Sequence, residues 1–351
     1  MKFKALPVRC GDSFLLECEG KIILVDGGKN QRDILTILNK ENILNHHIDL
    51  LICTHYDADH INGIVGVLKS NKYSFNELWL PEIFGSIAYT FANATNEIFD
   101  YIRHNDNLER FTTQSVIENN QQRQVDSVDD SFELIDNESL SYLIENYFWG
   151  FDYMYHFGYR NHDEHYFKMI INLHKISTLI NYSISSGAYI RWFSYRNSIT
   201  SRTYGYDMYS KNSIQTKITK YTPTLFFQKL YLTTINKESL VFLFDKELFP
   251  NVLFTADSDL SFCNSINLKD NSIVTAPHHG SMNNDTAYPK ILGANLIFVR
   301  SDNSQIKRPG QGYLNQSQRY CTICRNLNQK HIVELILSNS IFTTNANSCI
   351  C

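Results

Sequence analysis

Apolar positions along this chain fall into short runs separated by polar turns, and the period of the runs changes from one stretch to the next. Residues 2–6, Ser13–Cys18 and Lys21–Val25 have strand length and strand composition, and Glu19-Gly20 between the last two reads as a hairpin turn. From 31 to 44 the apolar residues recur at helical spacing, which predicts a helix. Ile48–Cys53 is another apolar run of strand length, followed by a helical pattern over 61–68 and a strand at Glu77–Pro81. Strand–helix–strand alternation of this kind predicts α/β layering. After about residue 86 the pattern changes: Ile87–Ile102 reads as helix, and polar, Asn- and Gln-rich chain follows. Strand signals return at Ser239–Phe244, Asn251–Thr255, Asn271–Ala276, Ala294–Val299 and His331–Leu337. The expected organisation is a core in two halves, 1–85 and 186–351, separated by a mostly helical insertion over 86–185.

Composition narrows the function. With 351 residues, 43% of them hydrophobic, the chain can bury a large core. Charged residues are 19% and the formal net charge is −4, so a globally basic coat for nucleic acid is excluded and any polyanion must meet a local patch. The first residues have no long apolar segment and no apolar run reaches 18 residues, so the expectation is a soluble, cytoplasmic protein that does not engage a membrane.

Charge is unevenly distributed. Ten acidic residues lie between Asp126 and Glu164, with Arg160 the one basic residue among them. Between Tyr189 and Tyr231 the balance reverses: seven Lys or Arg face a single acid, Asp207, and seven tyrosines interleave with them. Such a segment suits nucleic acid, cations meeting phosphates and rings stacking on bases, with Arg191, Arg196, Arg202 and Lys211 as candidate contacts. It equally suits a solvated basic loop that its tyrosines anchor to the domain. Of eight cysteines, Cys10, Cys18, Cys53 and Cys263 read as reduced core residues. Cys321-x2-Cys324 and Cys349-x-Cys351 have the number for a zinc site, although 321–324 reads as helical.

The densest chemistry is Thr54-His55-Tyr56-Asp57-Ala58-Asp59-His60, directly after the strand at 48–53. Four ligand-grade side chains at this spacing cannot share a helical face, but a tight loop leaving a strand end can converge them. Imidazole with carboxylate suits Zn²⁺, Mn²⁺ or Fe²⁺ rather than Ca²⁺. The competing reading is a polar loop that opens a helix, with Asp59 as its cap. One further regularity supports a site: Asp26, the His55–His60 cluster, Asp257 and His278-His279 all lie just past a predicted strand. Strand ends along one rim form a rigid platform for a metal site.

Taken together, these motifs resemble the metallo-β-lactamase hydrolase superfamily, most closely the hydrolase domain of the bacterial competence protein for DNA uptake. Six stretches match in order: Gly11-Asp12-Ser13, Val25–Gly28, Thr54–Gly63, Asn236–Val241, Thr255-Ala256-Asp257 and Pro277–Ser281. They cover 1–81 and roughly 230–300. The resemblance implies an αββα sandwich of two mixed sheets between helices. It implies two divalent ions, Zn or Mn: one held by His55 and Asp57, the other by Asp59, His60 and His278, with Asp257 bridging. Asp26 is then expected to orient a ligand imidazole from behind, and His279 to stand behind the ligands or face the substrate, so that Asp59 and His279 belong to the catalytic group. Asp57 stands where the superfamily's usual second His would be, which favours harder metals such as Mn²⁺. A third-motif His has no clear match; His156, His162, His165 and His174 are the candidates. The family's His-Pro pair after the last core strand is replaced by Arg308-Pro309.

The implied activity is hydrolysis by a hydroxide shared between two metals, with a nucleic-acid phosphodiester as the expected substrate. Two other readings stand beside it. One is hydrolysis of a small or lipid-linked phosphoester or lactone. The other is a weakly active or non-catalytic subunit of a multi-protein complex, such as a prokaryotic defence system.

Overall fold

The computed structural model describes residues 1–41, 43, 46–104, 134–135, 164–232, 238–302, 308–324, 329–339 and 341–351. The chain forms two compact units: one of Met1–Pro81, Ser185–Gln215 and Asn236–Cys351, and one of Glu82–Ile184 and Thr216–Ile235. Thr216–Ile235, read from sequence as part of the C-terminal half of the core, therefore belongs to the second unit.

The first unit is built on two mixed sheets. Strands β1 (Lys2–Ala5), β2 (Phe14–Cys18) and β3 (Lys21–Val25) form an antiparallel meander. The hairpin between β2 and β3 turns on Glu19 and Gly20, both at positive φ, as a two-residue loop matched to strand twist requires. β3 then pairs in parallel with β4 (His47–Ile52), β4 with β5 (Ser74–Pro81), and β5 with Tyr189–Tyr195. On the far side of β1 lie Val333–Ser338 and Ile341–Thr344, and Ser213–Thr216, beside Tyr189–Tyr195, completes nine strands. The second sheet has seven. Gln318–Cys321, Ile297–Arg300, Ile273–Thr275 and Val252–Phe254 run parallel; Phe242–Phe244, Met208–Ser210 and Arg202–Thr203 continue it antiparallel.

Side-chain alternation explains why the sheets stack. In β4, Leu50 and Ile52 point into a core shared with Phe242, Phe254, Ile273 and Val299 of the second sheet, while Leu51 is buried on the opposite face. A central parallel strand covered on both faces reads as a continuous apolar run, which is why 48–53 is so legible in the sequence. Aromatic pairs cross the gap between sheets, Phe14 to Phe254 at 6.2 Å and Trp79 to Phe242 at 5.5 Å. Helices α1 (Gln31–Lys40) and α2 (Ala58–Lys69) follow β3 and β4.

Four strands of the two sheets come from the basic, Tyr-rich stretch, Tyr189–Tyr195 and Ser213–Thr216 in the first sheet and Arg202–Thr203 and Met208–Ser210 in the second. In Tyr189–Tyr195 the exposed Tyr189 and the half-buried Arg191, Ser194 and Tyr195 gave the stretch the look of a solvated loop.

The second unit is described by its helices Glu82–Asn93, Thr95–His104, Glu164–Ser185 and Pro223–Leu232, and a short pairing of Leu134–Ile135 with Ile218–Thr219. Phe91 stacks on Phe226 and Tyr101 on Phe227, and the Thr90 hydroxyl accepts from the Tyr221 backbone N–H. Apart from Leu134, Ile135 and Glu164, the acidic stretch 126–164 falls outside the described residues, as do His156 and His162.

Candidate metal centre

The backbone near residue 60 is positioned by glycine. The Gly27 N–H donates to the His60 carbonyl at 3.0 Å and the Gly63 N–H to the Gly28 carbonyl at 2.8 Å. A Cβ on Gly63 would lie 1.8 Å from the Gly27 oxygen, so no other residue fits this approach. A Cβ on Gly11, whose φ is +91°, would lie 1.7 Å from the Asp59 carbonyl oxygen. The start of α2 is thereby clamped between the turns after β1 and β3. Asp57 occupies the N-cap position of α2 yet makes no capping hydrogen bond. Its carboxylate instead lies with His55 and Asp257, where one ligand atom from each falls within 4.8 Å of the others.

Four imidazoles share one design: each Nδ1 is tied backwards to an oxygen. His60 donates to Asp26 at 2.8 Å, His279 to Asp12 at 2.9 Å, His278 to the Asn284 side chain at 3.1 Å and His55 to the Thr54 hydroxyl at 3.0 Å. The Thr54 hydroxyl in turn donates to Asp26 at 2.7 Å. These bonds leave the Nε2 lone pairs facing inward, and all four meet the Asp257 carboxylate. Asp257 Oδ1 lies 3.3 Å from His60 Nε2 and 3.2 Å from His279 Nε2; Oδ2 lies 3.6 Å from His55 Nε2 and 3.4 Å from His278 Nε2. One carboxylate is thus divided between two pairs of imidazoles. Asp59 Oδ2 joins the first pair, 3.4 Å from His279 Nε2.

The electrostatics of this cluster call for cations. Burial disfavours charge on His60, but Asp257 and Asp26 outweigh it and hold the imidazole well above its ordinary range. His279 behaves alike, with Asp12 and Asp257 overcoming burial. Asp257 is buried and Asp59 half-buried, which favours the neutral acid, yet neighbouring imidazoles, His279 foremost, keep both well below the usual carboxylate range. Divalent ions fit the donor set. His55 Nε2 is buried and has no hydrogen-bond partner among the described residues. His60 Nε2 and His279 Nε2 lie 3.1 Å apart, close to the roughly 3.4 Å between two nitrogens that each sit about 2.1 Å from a tetrahedral ion. Mixed imidazole and carboxylate donors suit zinc or manganese.

Residues 7–74, which carry the glycine clamps and the His55–His60 cluster, match the family model of the metallo-beta-lactamase superfamily. The fold is that of the metallo-β-lactamase superfamily. A stretch of 66 residues is 39% identical to exodeoxyribonuclease WalJ of Streptococcus pneumoniae, in both strain D39 and strain R6. That match takes in 19% of this chain and 24% of the relative's length. The metallo-beta-lactamase fold protein YhfI of Bacillus subtilis aligns over 95% of this chain and 99% of its own, at 9% identity and a TM-score of 0.32. A likeness at that score carries no argument.

Within this metallo-β-lactamase core, the structure brings His55, Asp57, Asp59, His60, Asp257, His278 and His279 to one cluster, with Asp26 behind His60. It divides the last two imidazoles differently from the sequence expectation. His279, fully buried, is the partner of His60 and Asp59, and His278 faces Asp257 from the His55 side. The reason is backbone conformation. His278 and His279 have φ of 48° and 55°, so the chain coils left-handed after Pro277 and does not prolong the strand face. His278 thereby supplies a second imidazole on the His55 side of Asp257. His174 is on an exposed helical position of the second unit, and among the described residues it belongs to no ligand cluster.

Three residues escaped the sequence reading as site members. Asp12 accepts from His279, and Asn284 from His278. Arg308 donates to Asp302 at 2.8 Å and feels the charges of Asp257 and Asp59. Asp302 also accepts from the Gly11 N–H at 3.1 Å. Asp12 lay inside a matched motif and was the one of the three with a usable signal.

Arg191 is committed to Glu77, at 2.7 and 3.1 Å, and to Gln215. Lys211 is buried, which lowers its pKa, and donates to the Ser201 hydroxyl. Arg196 and Arg202 are exposed. Tyr204, Tyr206 and Tyr221 use their hydroxyls within the fold, on Gln215, Asp49 and Glu82. No helix among the described residues is long and apolar enough to cross a membrane.

Proposed function

We propose that this protein is a dinuclear metallohydrolase that cleaves phosphodiester bonds in nucleic acid. The observation that carries the reading is the Asp257 carboxylate, whose two oxygens each face a separate pair of imidazole Nε2 atoms. That arrangement supports one ion held by Asp59, His60, His279 and Asp257, and a second by His55, Asp57, His278 and Asp257. Ions bound there would supply positive charge at a phosphoryl oxygen and lower the pKa of a coordinated water. The chain's own contribution is orientation. Asp26, Asp12, Asn284 and Thr54 fix the rings from behind, so the site is assembled before substrate arrives. Arg308, held by Asp302, places a cation beside the acidic cluster, suited to an anionic substrate. The local likeness to an exodeoxyribonuclease supports nucleic acid as the substrate class.

The commitment of Arg191 and Lys211 inside the fold favours a second reading, hydrolysis of a small phosphodiester that needs no extended basic surface. The two are separated by incubating the protein, loaded with Mn²⁺ or Zn²⁺, with end-labelled single- and double-stranded DNA and, in parallel, with a chromogenic phosphodiester. Metal-dependent shortening of DNA that Asp59→Ala abolishes is the expected result. Turnover of the chromogen with no cleavage or binding of DNA would replace the nuclease reading with the second. No turnover of either by metal-loaded protein would remove both.

A further inference from the structure

Away from this centre, the fold gathers a second ligand set. Cys321 closes the strand Gln318–Cys321, Cys324 lies in the short strand Ile323–Cys324, and Cys349 and Cys351 come from a later segment. The 321–324 stretch is strand and turn, not the helix its sequence suggested. Their Sγ atoms form a closed ring: 2.6 Å from Cys321 to Cys349, 3.9 Å from Cys349 to Cys324, 3.1 Å from Cys324 to Cys351 and 4.0 Å from Cys351 to Cys321. Four sulfurs each about 2.3 Å from a tetrahedral ion stand roughly 3.8 Å apart, a value the ring brackets. Cys321, Cys324 and Cys349 are buried at 3%, 1% and 2% exposure, and Cys351 is half-buried.

Backbone contacts hold the ring without help from the sulfurs. The Cys349 N–H donates to the Arg319 carbonyl at 2.8 Å, and Thr322 N–H donates to the Arg300 carbonyl at 3.0 Å. We propose that Cys321, Cys324, Cys349 and Cys351 bind one Zn²⁺ as a closed, structural tetrathiolate site, distinct from the His/Asp cluster.

Two features favour a metal over a pair of disulfides. Each sulfur of the ring approaches two others, whereas a disulfide needs one partner. Charge also discriminates. Arg300, fully buried, pairs with Cys321 across the parallel ladder, and its guanidinium acts electrostatically on Cys321 and Cys351. A zinc tetrathiolate is an anion beside that guanidinium; two disulfides are neutral.

The site would have a mechanical role. It staples the 349–351 segment to the edge strand of the second sheet, next to the strand Ile297–Arg300. Just past that strand, Ser301 and Asp302 accept from the backbone of Ser13 and Gly11, the turn pressed against Asp59.

The test uses the full chain purified with reductant and then freed of it. Substitution with Co²⁺ is expected to give sulfur-to-cobalt charge-transfer absorption that persists in Asp257→Asn and disappears in the double variant Cys349→Ser/Cys351→Ser. Elemental analysis is expected to find one zinc per chain fewer in that double variant. For wild-type protein, which requires no variant to fold, the four cysteines are expected to resist alkylation until a chelator is added. A native mass lower by four hydrogens, with alkylation released by reductant alone, would show two disulfides and overturn the proposal. So would an absent charge-transfer band, or a band that survives the double substitution. None of these readouts depends on hydrolytic activity, so the outcome is independent of the function proposed for the His/Asp cluster.

Discussion

Asp257 is the residue on which the His/Asp cluster converges, and the sharpest predictions concern it and the carboxylates behind it. Asp257→Asn is expected to reduce metal bound at the His/Asp cluster to one ion or fewer and hydrolysis by at least about a hundredfold, checked by elemental analysis and initial rates. Asp12→Asn and Asp26→Asn remove only the acceptors behind His279 and His60. Each should weaken metal affinity about 10- to 100-fold while the fold is retained, measured by competition with a chromogenic chelator. An unchanged affinity in Asp12→Asn would mean that His279 does not use its Nε2 as a ligand. At this scale the ligand types were legible, since few other roles explain two His and two Asp in six residues. Which His of the 278–279 pair faces His60 was not legible, because it depends on two left-handed backbone conformations that side-chain identity does not announce.

Among the elements, the glycine clamp on α2 carries more of the site than its sequence suggests. Gly63→Ala places a methyl within 1.8 Å of the Gly27 carbonyl oxygen and must push α2 off the turn after β3. Overpacking of this kind costs about 1–3 kcal/mol or more, and it displaces Asp59 and His60 with the helix. A lower melting temperature together with lost metal is expected; loss of stability with full metal content would show that the clamp does not position the ligands.

A second element-level prediction concerns the pairing of β5 with Tyr189–Tyr195. Burial raises the Glu77 pKa, but hydrogen bonds from Arg191 and Trp79 outweigh it, and the net effect is a lowered value. A carboxyl with a depressed folded-state pKa contributes stability that is present above its unfolded value and is lost as pH falls through the folded one. Wild type should therefore lose stability faster than Glu77→Gln as pH drops below 4.5, the ordinary Glu value. Urea unfolding midpoints at several pH values would check this. The strand itself was not read from the sequence, because Arg191 and its neighbouring tyrosines looked like a surface for polyanions. The contact that turns Arg191 inward comes from Glu77, 114 positions away.

For the whole molecule, the division into two compact units predicts two unfolding transitions in calorimetry. Every residue of the proposed metal centre lies in one unit. Chelation should then lower one transition and leave the other in place. Restoring free metal to about 100 times its dissociation constant should return about 2.7 kcal/mol to that transition. Equal movement of both transitions would show that the units unfold together.

The sequence by itself determined the layered α/β core, the strands that end in ligands, the candidate donor atoms and the glycines that let backbones approach. These are local properties, written in apolar period, turn chemistry and ligand spacing, and they survive without knowledge of distant neighbours. The tertiary structure decided how Asp257 is divided between two pairs of imidazoles, that Asp12 and Asn284 stand behind His279 and His278, and that Arg191 and Lys211 turn inward. It also gathered four cysteines from two segments into one ring. Each of these is a meeting of side chains from segments far apart in the chain or a departure from regular backbone, and such geometry exists only once the sheets have packed.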